Sequence, residues 1–373
     1  MSNPEITQPR VVGDSREAPL RARLDQLTKP PGSLGRLEDL AARLGAIQGS
    51  PRPETRPRRL VVFAADHGVV ASGVTAWPSD VTSLMIDNIV GGGAACSALA
   101  RAHDVELRLV DVGASGPLRD DGPLLRVARV ANGTADLFHG PAMSLEQFDE
   151  AWRVGDEEAK RALAEGARVL AAGEMGIGNT TAASCLIALL TGLDVDAAVG
   201  RGAGADDATL ARKREVVAAA TERARAQLAG EASPRAALAS VAGFELIAMA
   251  GFFAAGAAGG ATLVIDGVIA TAGALVAEQL APGSREAMIA AHLSVEPAHR
   301  AALDALGLEP FLDWGLRLGE GTGALLLVPL LDSAAAMLRE MATFADLGLG
   351  GGEDDDQDSD DEGRTPSDGG GQA

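Results

Sequence analysis

The stretch ARVLAAGEMGIGNTT, residues 167–181, joins two patterns that together predict the fold. Its first half is a mainly apolar run, which is typical of a strand buried on both faces of a parallel sheet. Its second half is rich in glycine and ends in Asn179-Thr180-Thr181, residues suited to the start of a helix. A strand that leads through a glycine-rich loop into a helix is characteristic of open α/β sheets.

Four other segments show the same pattern of an apolar run that ends in polar or glycine residues. They are RLVVFAADHG (59–68), ELRLVDVG (106–113), TLVIDG (262–267) and AMIAAHLS (287–294). LLRVARV (124–130) is expected to be an edge strand. Helices are predicted at about 16–48 (interrupted at 27–35), 80–102, 144–165, 180–192, 206–229, 236–258, 268–281, 296–306 and 321–345. This alternation predicts an open parallel α/β sheet with right-handed crossovers.

Polar side chains collect where the predicted strands end. They are Asp66, His67, Asp111, Glu174, Asp266, His292 and Ser294. In open α/β sheets, ligands bind outside the carboxyl ends of the strands. This edge of the sheet is therefore the predicted ligand site.

The composition restricts the class of protein. Hydrophobic residues make up 47% of the 373 residues, but aromatic residues only 3%, so we expect a core of Ala, Val, Leu and Gly. Cys96 and Cys185 lie in apolar surroundings, which favours buried free thiols in the reducing cytoplasm over a disulfide. Residues 1–20 lack the apolar segment of a secretory signal. The uncharged stretch 246–265 is interrupted by Gly259-Gly260, which favours a buried helix and strand over a membrane span.

The net charge of −20 is concentrated at the end of the chain. Residues 350–373 hold nine acids and one arginine, a net charge of −8, which leaves −12 for the rest. We expect residues 348–373 to be a disordered acidic tail, with a role in partner or metal binding as the alternative, and residues 1–15 to be flexible. An acidic body argues against nucleic-acid binding, because phosphates require a basic face.

The loop GEMGIGNTT (173–181) has the glycines of a phosphate-binding loop but no lysine. Gly176 and Gly178 permit close approach of a ligand, and Asn179 and Thr180 would begin the next helix. Backbone N–H groups at a helix N-terminus can bind a monophosphate. The missing Gly-Lys-Ser/Thr argues against a triphosphate. A tight strand–helix turn without a ligand is the alternative.

Two further elements carry charged residues that a ligand could meet. In GRGAGADD (200–207) and shortly after it, Arg201 and Lys213 could supply positive charge, although Lys213 taken alone is expected to be a solvated surface lysine. In WGLRLGEGTGA (314–324), Glu320 lies between glycines and could act as a general base. The alternatives for Glu320 are a residue that favours the helix start or a partner of Arg317.

The histidines and cysteines show no spacing typical of a metal site. The chain has five histidines and two cysteines, with neither a His-x3-His nor a Cys-x2-Cys pair. His67, in ADHG, is therefore expected to be a hydrogen-bonded residue at a strand end, with a metal ligand as the alternative.

Nine motifs follow one another along the chain in a characteristic order. They are KPPGSLGRLEDLA (29–41), ADHGV (65–69), VGGGAA (90–95), GEMGIGNTT (173–181), GRGAG (200–204), AGFELIAMAGFFAAGA (242–257), LVIDG (263–267), AHLSVEP (291–297) and LRLGEGTGA (316–324). Together, over about residues 16–347, the sequence resembles the nicotinate-nucleotide–dimethylbenzimidazole phosphoribosyltransferase family. The resemblance implies a homodimer with a three-layer, Rossmann-like parallel sheet. It also implies a large α/β domain at about 55–310 and a smaller helical domain formed by about 16–50 and 311–347.

The reaction implied by the resemblance transfers phosphoribose from nicotinate mononucleotide to 5,6-dimethylbenzimidazole or a related base. The products are nicotinate and α-ribazole 5′-phosphate, which belongs to the lower nucleotide loop of cobalamin, and no cofactor or metal is implied. The leaving group is a pyridinium and needs no general acid. The attacking base must lose a proton, so one carboxylate base suffices.

The resemblance also implies roles for individual residues. Glu320 matches the catalytic base, and Glu174 matches a second carboxylate that stabilises the ribosyl centre. The phosphoribosyl contacts would be Gly176, Gly178, Asn179, Thr180, Gly202 and Lys213, and the base contacts Trp77, Leu84, Met85 and Met175. The apolar wall at Trp77 and Leu84 leaves the preferred base open. The alternatives are a phosphoribosyltransferase or N-ribosyl hydrolase for a different base, or a non-catalytic ligand-binding homologue.

Overall fold

The computed structural model describes residues 16–202, 204–230 and 232–349. The expected flexible segment 1–15 and the acidic tail from residue 350 onward lie outside the described residues. The strands are β1 Arg58–Ala65, β2 Glu106–Gly113, β3 Leu125–Val127, β4 Val169–Met175, β5 Thr262–Ile265, β6 Met288–Ala290, β7 His292–Ser294 and β8 Leu312–Leu316. The helices are α1 Ala18–Gln26, α2 Arg36–Gln48, α3 Asp80–Val90, α4 Ala95–Ala102, α5 Leu145–Ala164, α6 Asn179–Thr191, α7 Val195–Ala198, α8 Asp207–Ala229, α9 Pro234–Val241, α10 Phe244–Ala258, α11 Val268–Leu280, α12 Ala298–Leu306 and α13 Thr322–Glu340.

Six strands form one parallel sheet in the order β3-β2-β1-β4-β5-β6. The strand order reverses between β1 and β4, and this switch point is where open α/β sheets bind ligands. Phe63 of β1 pairs with Glu174 of β4, so both strands end at the same edge. The prediction of a Rossmann-like parallel sheet is confirmed.

The core follows from the buried strands and the helices that cover them. Every residue of β1 is buried, as expected for a strand covered on both faces. Helix α10 is apolar apart from Glu245 and is buried along nearly its whole length, and its Phe252 packs edge-on against Phe63 of β1, with ring centroids 5.7 Å apart. Cys96 and Cys185 are buried free thiols, as predicted.

The two ends of the described chain meet. Thr28 N donates to Ala342 O at 3.0 Å, and Phe344 N donates to Gln26 O at 3.0 Å. Helix α2 packs against α13 on the same side of the molecule. A helical unit formed by both chain ends is consistent with this arrangement, and its status as a separate domain stays a prediction.

Three predicted elements differ from the structure. The helix expected at 80–102 is two helices, α3 and α4, because the glycines at 91–93 interrupt it. The helix expected at 236–258 is also two, α9 and α10; between them, a Cβ on Gly243 would overlap the ring of His67. The strand expected at 287–294 divides into β6, in the main sheet, and β7, which pairs with the unpredicted β8.

Two helical segments among the described residues are long and apolar enough to cross a membrane by length and composition alone. They are Asp80–Ala102 and Thr322–Glu340. The first is interrupted between α3 and α4, and the second is α13, in whose most apolar 18-residue stretch 61% of the residues are buried. The uncharged stretch 246–265 lies largely in the buried α10 and β5, as predicted.

Helices α5 and α10 cross at glycines, which yields a test of the packing. A Cβ on Gly155 would overlap the carbonyl oxygen of Ala248. Gly155→Ala is expected to lower the free energy of unfolding by about 2 kcal/mol, because overpacking a core contact forces backbone shifts. Urea-induced unfolding measures this change. Gly140→Ala, whose Cβ would meet nothing within 4 Å, is the control, and equal destabilisation of both variants would contradict the packing.

Candidate active site

A cavity of about 240 Å³ opens at the carboxyl edge of the sheet, beside the switch point. Its walls come from the loop after β4, the loop after β5, strand β7 and the loop between β8 and α13. These segments are distant in sequence. Of the strand-end residues that the sequence predicted for the ligand site, Glu174, Asp266, His292 and Ser294 line the cavity, whereas Asp66, His67 and Asp111 do not.

Most of the predicted site residues line this cavity. They are Glu174, Met175, Gly176, Asn179, Thr180, Gly202, Met85 and Glu320. Gly178 and Lys213 do not line it, but each contacts a residue or loop that does. Trp77 and Leu84 lie outside the lining, with 50% and 65% of their surface exposed, so their contact with a base stays a prediction.

The glycines of the loop after β4 have a packing role of their own. Gly178 has φ +94°, a conformation that favours glycine, and it lies directly before α6. A Cβ on Gly176 would overlap the carbonyl oxygen of Ala65. Ile177 N donates to Thr82 Oγ1 of α3 at 3.1 Å. The tight turn therefore explains these glycines without a ligand, and a phosphate site needs further support.

Lys213 supplies that support from beneath the loop. Its side chain is buried, and Nζ donates to Thr180 Oγ1 at 2.8 Å and to Gly200 O at 3.2 Å. Burial lowers the lysine pKa to about 8. The expectation of a solvated surface lysine is therefore wrong, because α8 packs against α6 and directs this side chain inward. A positive charge thus lies behind Thr180, at one end of the cavity.

Glu320 lies in a strained loop between β8 and α13. Its φ is +59°, a left-handed conformation that is unfavourable for residues with a side chain and is common at functional sites. Its Oε2 accepts a hydrogen bond from Cys96 N, 3.3 Å away at the start of α4. Among the described residues, Arg317 is exposed and forms no ion pair with Glu320. The carboxylate is therefore held by a backbone N–H group and faces the cavity.

Glu174 lies opposite this loop at the end of β4. Its Oε2 accepts a hydrogen bond from Asn179 Nδ2, and a Cβ on Gly319 would overlap its Oε1. Burial, together with the negative charge of Asp266, raises the pKa of Glu174 to about 8. The raised pKa favours the protonated form of this carboxyl group at neutral pH.

Asp266, which follows β5 directly, fixes the beginning of α13. Its Oδ2 accepts from Gly321 N at 3.2 Å, and its Oδ1 accepts from Ala324 N at 3.0 Å. The same carboxylate lies 3.8 Å from His292 Nε2. The sequence placed Asp266 at the polar edge but assigned it no role. The sequence signal that could have indicated a role for Asp266 is its position directly after a buried strand.

His67 is hydrogen-bonded just after the end of β1, as predicted. Its Nε2 lies 2.7 Å from Glu245 Oε1, and both side chains are fully buried. The His67 ring packs beside Gly176, and its Cβ lies beside Gly178. The pair therefore supports the glycine-rich loop from within the protein.

Glu296 also lines the cavity, and sequence reasoning gave it no role. Its Oε1 accepts a hydrogen bond from Gly202 N at 3.0 Å. A Cβ on Gly200 would overlap its Oε2. The motif AHLSVEP contains this residue, but no local pattern indicates that it reaches a loop so far away in the chain.

A family model described as phosphoribosyltransferase matches residues 12–349. The chain belongs to this family. It is 51% identical to the nicotinate-nucleotide–dimethylbenzimidazole phosphoribosyltransferase of Thermus thermophilus, over 90% of this chain and 98% of that protein. It is 47% identical to the enzyme of the same name from Cupriavidus necator, over 94% and 99%. The predicted family is confirmed.

Solved structures of this phosphoribosyltransferase family agree with the fold. A crystal structure of CobT from Thermus thermophilus superimposes with a TM-score of 0.85 at 51% identity. The alignment covers 90% of this chain and 99% of that one. The fold is therefore similar over nearly the whole length of a solved relative.

The raised pKa of Glu174 predicts a pH-dependent stability. The folded state keeps a proton between the ordinary pKa of 4.5 and about 8, whereas the unfolded state releases it, so stability falls as pH rises through this window. Glu174→Gln removes the titrating group and is expected to gain stability relative to the unchanged protein between about pH 5 and about pH 9. Urea unfolding at both pH values measures the difference. Glu340→Gln, at the exposed end of α13, is the control, and a pH-independent difference for Glu174→Gln would contradict the expectation.

Proposed function

We propose that this enzyme transfers phosphoribose from nicotinate mononucleotide to 5,6-dimethylbenzimidazole or a related base. The products are α-ribazole 5′-phosphate and nicotinate. Relatives at 51% and 47% identity carry the name of this activity. One observation carries the proposal for the site: Glu174 and Glu320 line a cavity that also holds the glycine-rich loop, with a buried lysine behind it.

The glycine-rich end of the cavity is proposed to bind the phosphate. The backbone of Gly176, the start of α6 at Asn179 and Thr180, and Gly202 all border the same space. N–H groups at a helix N-terminus favour an anion. Lys213 adds a positive charge through its contact with Thr180. One phosphate group needs no metal-bound triphosphate loop, which agrees with the absence of a Gly-Lys-Ser/Thr motif.

The acidic end of the cavity is proposed to serve the ribosyl centre. Transfer from a pyridinium develops positive charge on the ribose, and nearby carboxylates stabilise that charge. The acids around Glu174 oppose its ionisation in the free enzyme, whereas a cationic nucleotide would favour it. Binding of nicotinate mononucleotide is therefore expected to convert Glu174 to the charged form that the reaction needs.

Glu320 is proposed to accept the proton of the attacking base. The unusual backbone conformation aims its carboxylate into the cavity, and Cys96 N holds one oxygen. The N–H proton of a benzimidazole must leave as the other nitrogen attacks, because the ring would otherwise become cationic. A carboxylate within hydrogen-bond reach of that proton is sufficient for this step.

The base is proposed to bind beside two methionines. Met85 and Met175 border the cavity with flexible apolar side chains, which suit a planar aromatic base.

Leu84, Trp314 and Leu318 are large apolar residues with more than half of their surface exposed. We propose that exposed apolar residues of this kind meet a second subunit in a homodimer that works in the cytoplasm.

A product assay tests the proposed reaction. The enzyme, given nicotinate mononucleotide, is expected to release nicotinate only when a base is present, and to form the α-ribazole phosphate of that base. Chromatography of reactions with 5,6-dimethylbenzimidazole, benzimidazole, adenine, p-cresol or no base separates the possibilities. Nicotinate release without any base would indicate a hydrolase. No release with every base would favour a non-catalytic homologue.

Glu320→Gln tests the proposed base. We expect kcat to fall by roughly a hundredfold to ten-thousandfold, because the amide cannot accept the proton. The Kd for nicotinate mononucleotide should stay unchanged, since the backbone and the phosphate contacts are retained. Steady-state kinetics and calorimetry measure the two quantities. Glu340→Gln, at the far end of α13, is the control, and near-normal turnover by Glu320→Gln would show that another group is the base.

A further inference from the structure

Glu296 holds a backbone donor that the proposed function assigns to the phosphate. Its Oε1 accepts the hydrogen bond of Gly202 N at 3.0 Å. Its other carboxylate oxygen lies against Gly200, where any side chain would overlap it. The contact is therefore close on both sides, and it belongs to the same loop whose carbonyl oxygen at Gly200 binds Lys213.

The negative charge of Glu296 also interacts electrostatically with the buried Lys213. Burial lowers the pKa of Lys213, and the negative charge of Glu296 is the largest effect that opposes it. A carboxylate thus occupies the position and the electrostatic surroundings that suit a phosphate oxygen. Among the described residues, Glu296 has no ion pair of its own that would require it to stay there.

We propose that the Glu296 carboxylate occupies the phosphate position at Gly202 N in the free enzyme, and that an incoming nucleotide phosphate displaces it. This inference rests on the proposed function, because it takes Gly202 and Lys213 as phosphate contacts. The single N–H group of Gly202 cannot donate a full hydrogen bond to both the carboxylate and the phosphate. Two negative groups so close also repel each other. The side chain must therefore move when the phosphate binds.

The structure offers space for that movement. A second cavity of about 490 Å³ adjoins the first and shares Gly202, Glu296 and Arg317 with it. The side chain is only partly buried, and it lies on the boundary between the two cavities. A change of side-chain rotamer would carry the carboxylate from one cavity into the other.

Displacement has a functional consequence. The carboxylate keeps the donor and the lysine neutralised while no ligand is bound, so the loop at 200–202 keeps its position. A weakly charged anion gains little by replacing it, whereas a phosphate dianion gains more. The expected effect is selection for ligands with a phosphate, at the expense of some affinity.

Glu296→Gln separates the charge from the hydrogen bond. The amide oxygen can still accept from Gly202 N, but the negative charge is gone. We expect the Kd for nicotinate mononucleotide and for inorganic phosphate to fall roughly tenfold, because one like charge near the phosphate is removed from a partly screened site. The Kd for nicotinate riboside, which has no phosphate, should not change. Calorimetry on the full chain measures all three.

Any other pattern of Kd values would contradict the proposed displacement of Glu296. Unchanged affinity for all three ligands would mean that Glu296 only supports the loop. Weaker binding of the riboside as well as the nucleotide would mean that the carboxylate binds the ribose. Glu309→Gln, which breaks an exposed ion pair with Arg300, controls for loss of net charge. If Glu296→Gln does not fold, as judged by its Tm, Glu296→Ser is measured in the same way with the same expectation.

A second variant distinguishes this inference from the proposed function. Lys213→Met is expected to weaken nucleotide binding while leaving riboside binding unchanged. If Lys213→Met weakens nucleotide binding but Glu296→Gln has no effect, only the proposed displacement of Glu296 is wrong, and the phosphate site is still supported. If neither variant affects nucleotide binding, the phosphate site itself lies elsewhere, and the proposed site is wrong as well.

Discussion

The backbone contact between β4 and the loop before α13 is the constraint on which the site depends. Gly173 has no side chain, and the backbone at Glu320 crosses directly against it. Gly319 in turn leaves room for the carboxyl group of Glu174. A side chain at either glycine would separate the loop from the strand. The two carboxyl groups share a cavity only because these backbones can touch.

Charge is distributed unevenly across that cavity. Glu174, Asp266 and Glu320 border it, and backbone N–H groups at the starts of α13 and α4 stabilise two of them, where helix dipoles favour negative charge. Lys213 lies buried behind Thr180, in the field of Glu296. The proposed transfer would use both kinds of charge, because its phosphate is negative and its ribosyl centre becomes positive.

The main strands could be predicted because each is a buried apolar run that ends in polar residues. Strand β8 could not, since most of its side chains, including Trp314, are exposed and leave no apolar pattern. The break before α10 was also missed, because a side chain at Gly243 would overlap His67, which follows β1 and is far away in sequence. At the site, Glu174 and Glu320 were found through their glycine-rich motifs. Glu296 lacks such a signal.

The sequence by itself determined the family, the parallel α/β sheet and the edge at which polar residues collect, because apolar periodicity and the order of motifs are local properties. Only the tertiary structure decided that Lys213 is buried beneath the loop, that Asp266 holds the start of α13, and that Glu296 binds Gly202. These contacts join segments far apart in the chain. They follow from how helices pack around the sheet, which no local pattern records.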